Sequence, residues 1–201
     1  MACGNQGVKM SASESKKKVV VLLGSPRRNG NSTELARHIA LGAEQAGAEV
    51  ETVYINGLKI SPCQACNSCQ KPGAAGCVVK DDMQQLYPKI SSAYALVIAS
   101  PVYWFTVSAQ TKIVLDRCYG FGANQYKDLI GKRVAVAMSF GDTDPFTSGC
   151  VNALRTFQDA CRYVGMKLVG QVYGSADQAG EISSNTELMK QAEELGQKLV
   201  G

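Results

Sequence analysis

The chain alternates short apolar runs with longer segments whose apolar residues recur every three or four positions. Val19-Val20-Val21-Leu22-Leu23 is uninterrupted and mostly β-branched, the pattern of a central parallel strand covered on both faces. Over residues 32–47 the apolar positions Leu35, Ile39 and Ala43 fall at helical spacing. The same alternation predicts strands at Val50–Ile55, Ala95–Ala99, Arg133–Ser139 and Lys167–Tyr173. Helices are predicted from Asp81-Asp82 through Leu86, over 107–119, over 148–165 ending near Gly165, and at Glu187–Leu199. Five strands alternating with five helices imply a doubly wound parallel sheet in a three-layer α/β/α arrangement, with right-handed crossovers. In such sheets ligands bind beyond the carboxyl ends of the strands, where strand order reverses. The loops after the first, third and fourth strands are therefore the places to look.

Composition narrows the class. The 201 residues suffice for one domain with a real core and are few for two. Hydrophobic residues at 45% and charged residues at 19% are ordinary for a globular domain. No apolar run approaches the roughly 18–20 residues needed to span a membrane. The net charge of +4 is small and partly contributed by Lys9, Lys16, Lys17 and Lys18, and no basic stripe is interleaved with aromatics, so no nucleic-acid partner is expected. Residues 1–17 read as a polar, flexible tail and 18–201 as the domain, with a cysteine-rich insertion at 58–80. A cytoplasmic protein is expected; Ala2-Cys3-Gly4, which resembles the remnant of a lipoprotein cleavage site, raises a trimmed lipoprotein as the alternative.

The first loop, Gly24-Ser25-Pro26-Arg27-Arg28-Asn29-Gly30-Asn31-Ser32-Thr33, runs from a buried strand straight into a helix. Unpaired amides at a helix start favour anions, the glycines allow tight turns, and Ser25, Asn31, Ser32 and Thr33 add neutral donors. That chemistry suits a phosphate monoester. The spacing excludes a nucleotide P-loop, since Asn31 stands where its lysine belongs, and Gly-x-Gly-x-x-Gly is absent. A helix merely capped by Ser32 or Asn31 is the competing reading. The third strand leads into Ser100-Pro101-Val102-Tyr103-Trp104-Phe105-Thr106. Three adjacent aromatics there offer a flat surface to a heterocycle, or else plug the core with Trp104 buried.

Of eight cysteines, four lie between Cys63 and Cys77. The spacing Cys63-x2-Cys66-x2-Cys69-x7-Cys77 lets thiolates converge on a small cluster, and Gly73 and Gly76 let the chain turn back. A [4Fe–4S] cluster, a zinc ion and unmetallated thiols are the three readings. Cys118, Cys150 and Cys161 fall on helical patterns and read as small apolar residues. His38, the only histidine, lies inside the first helix pattern and reads as a packing or surface residue.

Gly-Ser-Pro-Arg-Arg-Asn-Gly-Asn-Ser-Thr, then Ser-Pro-Val-Tyr-Trp, then Ser108-Ala109-Gln110-x-Lys112 to Asp116-Arg117 resemble the NADPH-dependent FMN reductase family over residues 18–200. The resemblance is nearest to its iron–sulfur flavoprotein branch, which is related to WrbA-type flavodoxin-like proteins. It implies a flavodoxin-like fold in which Ser25, Arg27, Asn31, Ser32 and Thr33 hold the FMN phosphate. It further implies that Pro101, Val102, Tyr103 and Trp104 line the isoalloxazine, and that Ser139, Phe140, Gly141 and Asp142 close its other side. The branch carries a compact cysteine motif just ahead of an Asp-Asp-Met such as Asp81-Asp82-Met83, which implies Cys63, Cys66, Cys69 and Cys77 as ligands of a [4Fe–4S] cluster. Asp116 and Arg117 are expected to form an ion pair or interface element. The flavin carries the chemistry, so no catalytic acid or base is expected. Three functions follow for test. One is NAD(P)H-dependent reduction of flavin, quinone or similar small acceptors. The second is electron transfer from a ferredoxin-like donor through a cluster to FMN. The third is a flavin-binding sensor with little turnover. The family commonly forms homodimers or homotetramers.

Overall fold

A computed structural model describes residues 16–201; the tail residues 1–15, with Ala2-Cys3-Gly4, lie outside them. The apolar runs form β1 (Lys18–Leu23), β2 (Glu49–Tyr54), β3 (Ala95–Tyr103), β5 (Arg133–Phe140) and β6 (Lys167–Ser175). A two-residue strand, β4 (Thr106–Val107), folds back antiparallel on β3. The parallel strands lie in the order β2-β1-β3-β5-β6, the flavodoxin-like order, which reverses between β1 and β3. The five helices are α1 (Asn31–Gln45), α2 (Met83–Ser92), α3 (Ala109–Arg117), α4 (Cys150–Val164) and α5 (Thr186–Val200).

Alternation along each strand splits the core in two. Val19, Val21, Leu23, Ala95, Val97, Ala99, Ala135 and Ala137 face α1 and α5. The alanines make that face shallow, and the two helices also close on each other. A Cβ on Gly42 would lie 1.9 Å from Glu193 O, and one on Gly196 would lie 2.0 Å from Ile39 O. His38 bridges the same helices, its Nδ1 2.7 Å from Glu193 Oε1, as a packing residue. Val20, Leu22, Leu96, Ile98, Val134, Val136 and Met138 face the opposite way, toward the side that carries α2, α3 and α4. There a largely apolar cleft of about 510 Å³ opens, lined in part by Leu115, Cys118, Tyr126, Ala160, Tyr163 and Val164.

Two elements differ from the sequence reading. Helix α2 runs on to Ser92 through Pro88 rather than stopping near Leu86. Pro88 lies on the exposed face, where water can satisfy the carbonyl that loses its donor, while Met83, Leu86 and Ile90 stay buried at helical spacing. Strand β3 continues to Tyr103 and turns into β4. The sequence hides this hairpin because its two turn residues are Trp104 and Phe105, not the usual Asn-Gly.

Candidate functional site

The switch point brings the first and third strand loops together. A buried hydroxyl network ties them. Ser108 Oγ donates to Gly24 O (2.7 Å), Ser108 N donates to Ser100 Oγ (2.9 Å), and Ser108 Oγ caps α3 by accepting from Thr111 N (3.2 Å). Gly24 has no alternative here, since a Cβ would lie 1.8 Å from Thr111 Oγ1. The sequence reading missed Ser100, Ser108 and Thr111 as site-building residues, although all three lie in or beside the quoted motifs.

The loop after β1 then turns tightly into α1. Gly30 N donates to Arg27 O (3.1 Å), Arg27 N donates to Ser25 Oγ (3.1 Å), and a Cβ on Gly30 would lie 2.6 Å from Ser25 Oγ. Helix α1 begins with no side-chain cap, which leaves its first amides unpaired within the helix. Ser32 Oγ and Thr33 Oγ1 are buried and have no hydrogen-bond partner among the described residues. Orphaned buried hydroxyls are costly, so two in adjacent residues at an uncapped helix start fit an anionic acceptor of their protons. Arg27 is exposed, and Arg28 stacks on the Tyr54 ring, 4.4 Å from its centroid.

The Asn31 side chain is engaged away from the loop. Its Nδ2 donates to Ala176 O (3.2 Å) and Gln178 O (2.9 Å), and its Oδ1 accepts from Ile182 N (3.3 Å). The side chain is engaged by the loop after β6, which leaves the backbone N–H of Asn31, the first of α1, as its group toward a phosphate. A single amide that pairs with three backbone groups is a strut, and no local sequence signal pointed across 145 residues to that loop.

The ring side is built on the β3–β4 hairpin. Its turn residues Trp104 and Phe105 both have positive φ, 50° and 68°, as a type I′ turn requires. Bulky side chains pay strain in that conformation, and Trp104 is also 91% exposed. An exposed aromatic pair on strained backbone is poor for stability and therefore points to a binding role. The turn is held by the start of α4. Asn152 Nδ2 donates to Phe105 O (3.2 Å), and a Cβ on Gly149 would lie 2.6 Å from Phe105 Cα. Val102, Trp104, Phe105, Phe140, Gly141, Asp142, Thr147 and Ser148 line one open cleft of about 300 Å³. Of the expected ring residues, Val102, Trp104, Phe140, Gly141 and Asp142 thus meet. Pro101 and Ser139 are paired inside the sheet beside it, and Tyr103 is exposed. Phe105, Thr147 and Ser148 were missed; Phe105 was visible as the third member of the aromatic run.

Residues 17–181 match the family described as NADPH-dependent FMN reductase. The chain belongs to that family. Its fold and activity are those of a flavodoxin-like, FMN-dependent oxidoreductase. It is 32% identical over 183 residues to an iron–sulfur flavoprotein of Archaeoglobus fulgidus, covering 90% of this chain and 78% of the relative. A Methanosarcina thermophila iron–sulfur flavoprotein is 29% identical over 76% of this chain and 77% of its own. An NAD(P)H:quinone oxidoreductase of Methanothermobacter marburgensis shares the fold at a TM-score of 0.74 and 22% identity, covering 93% of this chain and 98% of the other.

In this FMN reductase relative the cysteine segment is a second, separate structure. Left-handed residues at Ala65 (φ 51°) and Asn67 (φ 54°) curl the chain between the cysteines. Such reversals make backbone concavities that suit anionic groups. Cys63, Cys66, Cys69 and Cys77 all line one small cavity of about 20 Å³ together with Arg117 and Tyr119. Cys69 is buried, Cys77 half-buried, and Cys63 and Cys66 exposed. Gln70 Nε2 donates to Cys69 Sγ (3.3 Å) and to Tyr119 O (2.9 Å). Hydrogen bonds from Ser68, chiefly from its backbone amide, hold the Cys66 thiol below the usual range. By contrast, burial pushes Cys118 up to about 12 and Cys150 and Cys161 up to about 11, which keeps them as neutral packing residues. Among the described residues, no three Cys, His, Asp or Glu side chains stand close enough to share one metal ion.

The expected Asp116–Arg117 pair does not form. Asp116 pairs with Lys112 Nζ (2.7 Å) on the exposed face of α3. Arg117 turns inward, where it is the largest fully buried side chain among the described residues, and pairs with Asp81. Burial works against the charge of Asp81, yet its bonds with Arg117 and with the Ser61 and Met83 amides hold its carboxyl below the usual range. Adjacent residues on a helix point about 100° apart, so Asp116 and Arg117 could not share one face.

Proposed function

We propose that the chain binds FMN across the switch point and uses NAD(P)H to reduce a small-molecule electron acceptor, such as a flavin or quinone. The observation that carries this reading is the pair of orphaned hydroxyls, Ser32 Oγ and Thr33 Oγ1, at the uncapped start of α1. With Ser25, Arg27 and the first α1 amides they would hold the phosphate. Val102, Tyr103, Trp104 and Pro101 would wall one side of the ring, and Ser139, Phe140, Gly141 and Asp142 the other. Bound FMN supplies hydride and electron transfer. The protein's part is to fix the ring by its phosphate, shield it with the β3–β4 turn, and leave an open face for nicotinamide and acceptor in turn. The apolar cleft beside α3 and α4 supports a homodimer or homotetramer. No described helix is long and apolar enough to cross a membrane, and a cytoplasmic location is the reading we adopt.

A second reading adds a [4Fe–4S] cluster on Cys63, Cys66, Cys69 and Cys77, fed by a ferredoxin-like donor and passing electrons to FMN. Four thiols around one cavity support it. A [4Fe–4S] cube takes one thiolate at each of its four irons and so needs them farther apart than a single zinc ion would. A cube is larger than about 20 Å³, so loading requires the exposed rim carrying Cys63 and Cys66 to give way. Titration with NADPH and NADH under argon separates the readings. The first predicts that the flavin bleaches with one equivalent of either nucleotide. No bleaching by either, with bleaching by a reduced ferredoxin, sinks it in favour of the second.

A further inference from the structure

Residue Arg117 does something that neither flavin binding nor the four cysteines explain. Its guanidinium reaches both ends of the cysteine segment. At the entry, Nη1 donates to Ser61 O (2.8 Å). At the exit, Nη1 donates to Asp81 Oδ2 (2.5 Å) and Nη2 to Asp81 Oδ1 (3.2 Å). Nη2 also lies 3.5 Å from Cys77 Sγ. The neck is closed further by backbone amides that donate to side-chain carboxylates, Ser61 N to Asp81 Oδ2 (2.9 Å) and Lys59 N to Asp82 Oδ2 (2.7 Å). Arg117 is 1% exposed, and its Nε has no partner among the described residues. Tyr87 Oη donates to Arg117 O (2.7 Å), which fixes the residue at the end of α3.

A buried ion pair is weak evidence for stability, because apolar residues of similar volume often serve as well. This pair therefore calls for another reason, and its place supplies one. It sets a cationic donor on Cys77, and the same Nη2 also donates to Asp81 Oδ1, so the sulfur meets the donor with its counter-charge beside it. We propose that Arg117 is a positioning and tuning residue of the cysteine centre. It holds Cys77 in place for cluster loading, and its N–H donation to that sulfur raises the reduction potential of the loaded cluster. Hydrogen bonds to ligand sulfurs and fixed charges nearby are among the levers by which proteins set such potentials. The inference rests on the cluster reading above.

The test uses the full chain, purified under argon and reconstituted with ferrous iron and sulfide. Iron content and the cluster midpoint potential are measured for the wild type, Arg117→Lys, Arg117→Gln and Asp81→Asn. Arg117→Gln should lower the ratio of reduced to oxidised cluster about tenfold at fixed potential, a shift of about 59 mV downward for one electron. Asp81→Asn removes the negative partner and should shift the potential upward. Arg117→Lys, which keeps the charge but loses the fork, should fall between the wild type and Arg117→Gln. Shifts of opposite sign in the two partners support tuning, because a merely structural pair would lose iron in both without them. If Arg117→Gln does not load, the decision passes to Asp81→Asn and Arg117→Lys; if none of the three loads, the tuning role is overturned. A loaded Arg117→Gln or Asp81→Asn at the wild-type potential overturns the inference alone. Wild-type protein that takes up neither iron nor sulfide overturns the cluster reading and the inference with it.

Discussion

The flavin-side loops and the cysteine segment lie on one chain but are built by opposite means. The first are extensions of parallel strands. Their geometry is set by sheet register, by glycines with no room for a Cβ, and by a buried hydroxyl network at the strand ends. The cysteine segment has little regular structure. It is curled by left-handed Ala65 and Asn67 and held at its neck by Arg117, Asp81 and Asp82. A site on strand ends is organised before its ligand arrives, and should lose binding without losing the fold. A segment held by a few side chains should depend on each of them, and on whatever it binds.

The largest difference is expected from cysteine replacement. Cys→Ser at 63, 66, 69 or 77 should each remove most of the iron from anaerobically prepared protein and most of the absorbance it brings, because a cube needs all four anchors. FMN content should stay at the wild-type level, and Cys118→Ser and Cys161→Ser should leave iron unchanged. Flavin lost in step with iron would show that the two regions are one site. Next in size is Gly149→Val. A side chain there meets Phe105 Cα at 2.6 Å on backbone with φ 75°, so the β3–β4 turn must move. FMN affinity should fall at least tenfold by fluorescence titration, with iron content intact. The smallest effect belongs to the terminus. Deleting residues 1–15 should leave flavin content and thermal midpoint within error. The boundary falls there rather than after residue 17, because Lys17 Nζ donates to Val200 O (2.6 Å) and Lys17 O accepts from Glu49 N (3.0 Å).

The same contrast explains what could be read from sequence. Strands and helices were legible because burial on both sheet faces leaves continuous apolar runs, and burial on one helix face leaves a 3.6-residue period. The phosphate loop was legible because its glycines and hydroxyls are adjacent in the chain. The side-chain partners of Asn31 were not legible because Ala176, Gln178 and Ile182 are distant in sequence and offer backbone atoms with no residue signature. Arg117 was misassigned for a related reason: its neighbour Asp116 suggested a partner, while the true one, Asp81, is reached only through the fold. The hairpin at Trp104-Phe105 went unseen because it breaks the usual turn preference, and local rules fail most often at functional sites.

The central claim is that the start of α1 is a phosphate site, and calorimetric titration of FMN against riboflavin tests it most directly. Wild-type apoprotein should bind FMN more tightly than riboflavin. In a Ser32→Ala, Thr33→Val double variant FMN affinity should fall by roughly 1–3 kcal/mol, about fivefold to 150-fold, while riboflavin affinity stays unchanged. The apo variant should be as stable as the wild type or more so, because it removes buried hydroxyls that lack partners. FMN and riboflavin weakening together, or FMN binding unaltered, would contradict the account.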